Sequence, residues 1–341
     1  MSTPEISVVM PAYNATAYLD KSVRSILGQT FQDFEFIIIN DGSTDTTTAI
    51  LKRYAELDDR IRLYDQENQG MISALNRGCR LARGRYIARM DADDVSFPRR
   101  FEKQLEYMER HPQIGILGTW IYNVDENGAV RGTWCPPTDP KILKWTNFFG
   151  VCVSHSTVLM RRQVIEKLGF YRPDAVHAED VDLWLRACAI TEFGNIPEPL
   201  SNYRVWTGST HQRSLQLRRD THVRLLASYI EDFLNFVPPL EAVAGLRQTR
   251  VGPPLESLRQ MFRTAALVEQ LYKTFVKEND LTLSERREIS FDAAKKLALL
   301  GLQALRFNTR SSASLLLQAL QLDYRLLRPS IMMKGLRRIW Q

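Results

Sequence analysis

Tyr86-Ile87-Ala88-Arg89-Met90-Asp91-Ala92-Asp93-Asp94 is a short apolar run that ends in three carboxylates. Apolar residues that give way abruptly to polar ones describe a buried strand running into a loop. The acids are the unusual part. Like charges this close repel, and each is pushed toward its neutral form unless something positive joins them. The usual remedy is a hard divalent cation, which can in turn hold a diphosphate. An ordinary solvated acidic turn is the plain alternative.

Upstream of this strand the chain alternates between two hydrophobic periods. Ile6–Met10, Phe34–Ile39 and Ile61–Tyr64 read as strands, and residues 16–28, 44–57 and 71–83 as helices, the second capped by Ser43 or Thr44. Strand–helix alternation at this spacing means βαβ units, a mostly parallel sheet and helices on both faces. Ligands of such sheets bind beyond the carboxyl ends of the strands. Three polar segments should therefore converge on one edge: Pro11-Ala12-Tyr13-Asn14, Asn40-Asp41-Gly42-Ser43 and Asp91-Ala92-Asp93-Asp94. Downstream, residues 98–111 form an amphipathic helix introduced by Pro98. Residues 114–135 read as two strands joined at Asp125-Glu126-Asn127-Gly128, where Asn-Gly is the hairpin signal. Helices follow at 161–168 and 180–190. Beyond about residue 215 the pattern is helical, with joints at Pro238-Pro239 and Gly252-Pro253-Pro254. The expected domains are 1–214, which carries the sheet, and 215–341, which is helical with a basic tail.

A chain of 341 residues can bury a large core. Its net charge of +6 resides in residues 301–341, where Arg306, Arg310, Arg325, Arg328, Lys334, Arg337 and Arg338 face Asp323 alone. A neutral body argues against nucleic acid as a partner, and the tail fits an anionic surface. Cys79, Cys135, Cys152 and Cys188 are widely spaced, without a CxxC pair, and read as reduced, buried thiols. With no signal pattern and no apolar run long enough to span a bilayer, a cytoplasmic location is expected, peripheral on the inner face of the membrane if the tail binds lipid.

GxGxxG, GxxxxGK[ST] and HExxH are all missing, which argues against a Rossmann dehydrogenase, a P-loop enzyme and a zincin. Four motifs occur in order instead: Val8-Val9-Met10-Pro11-Ala12-Tyr13-Asn14, Asn40-Asp41-Gly42-Ser43-Thr44-Asp45, Asp91-Ala92-Asp93-Asp94 and Ala178-Glu179-Asp180. Together they resemble the GT-A fold of family 2 nucleotide-sugar glycosyltransferases, over roughly residues 5–210. Asn68-Gln69-Gly70, Ala74-Leu75-Asn76 and Ala88-Arg89-Met90 are similar to one branch of that family.

The resemblance implies a role for each match. Pro11, Tyr13 and Asn14 line the nucleotide pocket, where the Tyr13 ring suits the face of a base. Asp41 accepts a hydrogen bond from the base; an Asx turn before Gly42 is the plain alternative, and the two are compatible because the turn would aim the side chain. Asp91 reaches the ribose and the metal. Asp93 ligates Mg2+ or Mn2+, for which oxygen donors are suited. Asp94 caps the next helix or orients the site. Asp180 is the base of a single in-line, inverting displacement, and Glu179 supports it or touches the acceptor. The plain alternative for Glu179, Asp180 and Asp182 is a favourable interaction with a helix N-terminus.

This sequence departs from the pattern in places. Trp206 follows Tyr203-Arg204-Val205 where many relatives carry a His, and His211 lies further on as a candidate metal or diphosphate contact. Leu75 stands where other branches have an Arg, which bears on the choice of nucleotide. His155 matches an acceptor-side position of unassigned role. Leu315, Leu316, Ala319, Leu322 and Leu326 share one face of a helix over 313–327, and the basic ending beyond it can lie on an anionic membrane. The expected activity is a metal-dependent, hexosyltransferase-like transfer from a nucleotide-diphosphate donor, a UDP-sugar first, to a hydroxyl of a glycan or lipid-linked acceptor. A nucleotidyltransferase would need a basic loop after Met10, which is missing. An inactive nucleotide-sugar-binding scaffold would not need Asp41, Asp93 and Asp180 intact.

Overall fold

Ile6, Val8 and Met10 alternate with Ser7 and Val9 along β1 (Ile6–Ala12), and both sets are fully buried. A strand buried on both faces belongs in the middle of a parallel sheet covered by helices. In the computed structural model, which describes residues 3–205, 215–249 and 255–327, β1 lies between β2 (Phe34–Asp41) and β4 (Tyr86–Arg89), parallel to both. Ile6 is in register with Phe34 on one side and Tyr86 on the other. β3 (Ile61–Gln66) closes that edge, parallel to β2. Ile6, Val8, Met10, Phe36 and Ile38 join Leu19, Val23 and Ile26 of α1 (Leu19–Leu27) and Leu51 of α2 (Thr47–Leu57) in one core. Each such side chain contributes about 1.5–3 kcal/mol when fully buried. On the opposite face α3 (Met71–Leu81) comes so close that a Cβ on Gly78 would meet Val9 Cγ1 at 2.5 Å.

The rest of the sheet is mixed. β5 (Val95–Ser96), α4 (Arg100–Arg110), β6 (Ile114–Val124), β7 (Val130–Trp134), α5 (Pro140–Thr146), β8 (Leu159–Arg161), α6 (Arg162–Lys167), α7 (Glu179–Ala187) and β9 (Glu192–Arg204) follow in order. β8 runs antiparallel between β4 and β6, β9 lies parallel to β6, and β5 runs antiparallel to β9. The hairpin at Asp125–Gly128 joins β6 to β7, with Gly128 at φ 88°.

Residues up to Leu143 together with Cys152–Thr221 form one compact unit, and Lys144–Val151 with the chain from His222 onward form another. The second is helical: α8 (Leu215–Leu234), α9 (Leu240–Gln248), α10 (Leu258–Glu278), α11 (Leu283–Ala304) and α12 (Thr309–Leu322), then a 3-10 turn at Tyr324–Leu327. Trp145 anchors it, with ring centroids 4.9 Å from Phe149 and 5.4 Å from Phe275. Its indole N–H donates to Asp292 at 2.8 Å, and Asp292 also pairs with the buried Lys296.

Some expectations change. The helix expected over 313–327 stops at Leu322, because Asp323 turns extended (φ −155°, ψ 108°) to meet Arg325 and Ser290. α2 starts at Thr47 rather than at a Ser43 or Thr44 cap, and Asp45 accepts from the Thr47 N–H at 3.0 Å. Cys135 is exposed, whereas the other three thiols are buried. Burial pushes the Cys79 thiol up to about 12. His211 and the tail from Arg328 lie outside the described residues. Among the described residues no helix is long and apolar enough to cross a membrane.

Glu35, near the amino end of β2, ties the sheet together. Its buried carboxylate accepts from Ser7 Oγ at 2.6 Å, the Arg83 N–H at 2.8 Å and the guanidinium of Arg62. Burial opposes its ionisation, but these donors outweigh it and hold the carboxyl below its ordinary value. A depressed acid stabilises the fold above its unfolded pKa, and that stabilisation is lost as pH falls through the folded value. Glu35→Gln should cost about 1–3 kcal/mol at neutral pH, with the difference from wild type shrinking in acid. Urea denaturation at several pH values measures both.

Candidate active site

The three strand-end segments lie at the carboxyl edge of β1, β2 and β4, and hydrogen bonds between loops join the first two. Asn14 sits at φ 46°, a conformation Asn tolerates, and its Oδ1 accepts from the Thr44 N–H at 2.9 Å. Its own N–H donates to Ser43 Oγ at 3.1 Å. Asp45 accepts from Thr16 Oγ1 at 2.6 Å, and donors from Thr16 and Thr47 hold its carboxyl at about 2 despite partial desolvation. The first two loops are thereby latched. Tyr13 stands out from them with 51% of its surface exposed, while Pro11 is half-buried.

Asp41 does not make an Asx turn with Gly42. Its buried carboxylate accepts from Gln66 Nε2 at 2.7 Å and from the N–H groups of Gln69 at 2.9 Å and Gly70 at 2.8 Å. It therefore fixes the Asn68-Gln69-Gly70 loop, where Gly70 adopts φ 85°. Three of about four acceptor positions on a carboxylate are used. Leu75, one turn along α3, is fully buried.

Asp91, Asp93 and Asp94 each offer a carboxylate oxygen to a cluster whose atoms lie within 4.8 Å of one another. Two arginines organise it. Arg89, buried at the end of β4, pairs with Asp91. Arg204, at the end of β9, donates its backbone N–H to Asp94 Oδ1 at 2.8 Å and its Nε to the Asp93 carbonyl at 2.9 Å. Its Nη1 reaches the Asp125 carbonyl at 2.9 Å, and its guanidinium lies 4.1 Å from the Tyr18 ring centroid. Asp94 is thus not a helix cap; α4 begins six residues later, at Arg100 behind Arg99, without a side-chain cap. Burial, then the charges of Asp91 and Asp93, push the Asp94 carboxyl well above its usual range. Its Oδ2 is buried without a hydrogen-bond partner. An orphaned buried oxygen in an all-oxygen set of three acids fits a hard divalent cation.

Glu179 and Asp180 open α7, and Asp180 Oδ1 accepts the Val181 N–H at 2.8 Å. Glu179 is buried, and desolvation, reinforced by Asp180, raises its carboxyl to about 7. Arg89 and Asp91 also act on it electrostatically, so α7 and the acidic loop share one field. His155 donates to or accepts from the buried Tyr171 hydroxyl at 2.8 Å, and burial keeps its imidazole neutral, well below its usual pKa. Asn76 grips the Tyr171 backbone through two hydrogen bonds of 2.8 and 2.9 Å. Sequence reading passed over Arg204 and Tyr171 as site residues; the Tyr203-Arg204 pair was the available signal for the first, whereas Tyr171 had none.

A mixed sheet with polar strand-end loops and an acid cluster at its carboxyl edge has the form of a GT-A type glycosyltransferase. Comparison with known proteins agrees. Residues 7–169 match the family described as glycosyl transferase family 2. The chain is 39% identical over 214 residues to the O-antigen biosynthesis glycosyltransferase WbnJ of Escherichia coli, covering 62% of this chain and 83% of that protein. Among solved structures, Staphylococcus aureus TarS 1–349 in complex with UDP-GlcNAc is similar at TM-score 0.56 and 15% identity, over 92% of this chain and 89% of that one. The mannosyltransferase PcManGT of Pyrobaculum calidifontis, in complex with GDP-Man and Mn2+, is similar at TM-score 0.51 and 19% identity, over 94% and 86%. The chain belongs to glycosyl transferase family 2 and is a glycosyltransferase.

A raised carboxyl pKa reverses the sign found for Glu35. The protonated form is the one the fold favours, so the contribution of Glu179 is complete below its unfolded value and is lost as pH rises. Wild type should lose stability between about pH 4.5 and 7 through this residue. Glu179→Gln should flatten that part of the stability profile, as chemical denaturation across the range would record.

Proposed function

We propose that this glycosyltransferase is a metal-dependent, inverting enzyme that transfers a sugar from a nucleotide-diphosphate donor to a hydroxyl of a glycan or lipid-linked acceptor. The observation that carries the reading is the acid cluster at the end of β4, with one oxygen from each of Asp91, Asp93 and Asp94 inside 4.8 Å. Asp93 and Asp91 would hold Mg2+ or Mn2+, which when bound offsets the charge growing on the leaving diphosphate. Asp91 is already paired with Arg89, so Asp93 carries the larger part of the ligation and Asp91 is also available to the ribose. The Mn2+ bound by PcManGT with its donor supports this choice of ion.

Tyr13 offers its exposed ring to the base, beside Pro11 and Asn14. Asp41 retains an acceptor position for an imide N–H, which uracil provides, and the buried Leu75 leaves the donor without an arginine at that point. The UDP-GlcNAc bound by TarS and the imide argument favour a UDP-sugar. Asp180, at the half-exposed start of α7, takes the proton from the acceptor hydroxyl as its oxygen attacks the anomeric carbon and the bond to the diphosphate breaks. A sugar hydroxyl is too weak an acid in the ground state, but it becomes acidic as the new bond forms. Glu179, largely protonated below about pH 7, adds no second negative charge beside Asp180 and can donate a hydrogen bond to the acceptor. The O-antigen assignment of WbnJ supports a glycan or lipid-linked acceptor. Contact of the basic C-terminus with an anionic membrane belongs to the same reading.

Asp93→Ala should remove the Mn2+-dependent part of donor binding, measured by calorimetry with a panel of nucleotide sugars. Asp180→Asn should bind donor within about threefold of wild type yet lose about 100- to 10,000-fold in turnover, the usual contribution of a positioned base. Release of nucleoside diphosphate is the assay. Pyrophosphate release would point to a nucleotidyltransferase, and no release from any donor to a scaffold.

A further inference from the structure

The helical unit contains a cleft that the transfer reaction does not use. It has a volume of about 640 Å3 and lies between the start of α11 and the end of α12 with its following 3-10 turn. Arg286, Arg287 and Arg325 line it, against Asp323 as the acid among them. Asp323 and Arg325 are accounted for. The buried Asp323 carboxylate accepts the Arg325 N–H and Nε, both at 2.9 Å, and Ser290 Oγ at 3.3 Å. Those donors hold it ionised. Arg286 and Arg287 are exposed and make no ion pair among the described residues; Glu285, held in the Thr282 capping box, and Glu288 flank them in sequence and do not line the cleft. Among the lining residues three cations thus stand against one acid.

Its rim is apolar. Leu283 and Tyr324 are each 76% exposed, large values for an aliphatic and an aromatic side chain. Exposed apolar groups beside arginines with long aliphatic stems suit an interface whose outer layer is anionic and whose next layer is hydrocarbon. The chain leaves the cleft at Leu327 and continues for fourteen residues outside the described structure. These include Arg328, Lys334, Arg337 and Arg338, no acid, and Ile331, Leu336, Ile339 and Trp340. That segment has the same sign as the cleft, so charge disfavours it as the occupant. Its mixture of cations and apolar anchors repeats the chemistry of the rim.

We propose that this cleft is a docking surface for the phosphate headgroups of an anionic bilayer, with Arg286 and Arg287 on the phosphates and Leu283 and Tyr324 in the interfacial layer. The inference deepens the membrane contact assigned above to the C-terminus, and moves part of it onto the folded helical unit. A basic side chain near an anionic surface strengthens partition about fivefold. The pair should therefore contribute about 25-fold.

Sedimentation of the full-length protein with phosphatidylglycerol–phosphatidylcholine vesicles tests this. Arg286→Ala with Arg287→Ala should weaken binding about 25-fold, and phosphatidylcholine alone should bind little. Donor affinity, measured in parallel, should stay at the wild-type value and report intact folding. Leu283→Ser with Tyr324→Ser, at exposed positions that tolerate polarity, should weaken binding independently. Wild-type partition by both double variants overturns the proposal, as does saturable binding of glycerol phosphate without binding to vesicles. Deleting residues 328–341 separates the two contributions. If the deletion alone removes all binding and the arginine pair none, the tail is the contact and the cleft is not.

Discussion

Mutual repulsion among three carboxylates at the end of β4 is the constraint around which this molecule is arranged. In the local sequence Arg89 faces Asp91, and the buried Arg100 acts electrostatically on Asp94. A further arginine comes from 110 residues along the chain, where the Arg204 backbone N–H meets Asp94. Bringing β9 to that place requires the mixed half of the sheet, because β9 reaches the acid loop only by pairing with β6 and with the two-residue β5. The mixed half of the sheet is therefore what holds the acids still, through β9, while the first parallel strands bring the loops together.

Much of this was legible in the sequence. The strands of the first hundred residues were readable because both faces are buried, so Ile6–Met10 and Phe34–Ile39 appear as apolar runs, each broken by one polar residue, Ser7 and Glu35. The convergence of Pro11–Asn14, Asp41 and Asp91–Asp94 followed from parallel topology alone. What was not legible depends on contacts distant in sequence. Asp41 looked like a turn former beside Gly42, but its partners are the N–H groups of Gln69 and Gly70, which carry no side-chain signal. Asp94 read either as a cap for the next helix or as a residue that orients the site, and its partner is the Arg204 N–H on β9. The end of α12 was missed for a similar reason: Leu326 continues the helical stripe, but the buried interaction of Asp323 with Arg325 stabilises the extended residue more than another turn would.

The sheet also separates its duties between its two ends. At the amino end Glu35 gathers donors from β1, β3 and the loop before β4, and its charge is matched by Arg62 and Arg83. At the carboxyl end charges are deliberately unmatched: a buried Asp94 oxygen without a partner, and a Glu179 carboxyl raised to about 7. Functional sites are where such perturbations concentrate. The same carboxylate chemistry thus stabilises one edge and destabilises the other, and the difference lies in how many donors each acid receives.

Lys144–Val151 shows how linear position and packing diverge. The segment comprises the end of α5 and the chain that follows it toward His155, yet its rings belong with the helical unit. Trp145, Phe148 and Phe149 are buried there, and Trp145 shares Asp292 with the buried Lys296. The chain therefore passes between its two compact units three times, at Leu143, Val151 and Thr221. A single cut near residue 215 would leave three large aromatic side chains without their partners, and exposing that much apolar surface costs several kcal/mol at the usual value per side chain. Composition does mark where the helical region begins, but the hydrophobic effect binds it to an insert that composition leaves in the sheet domain. The helical unit is for that reason completed by a piece of the catalytic chain rather than simply appended to it.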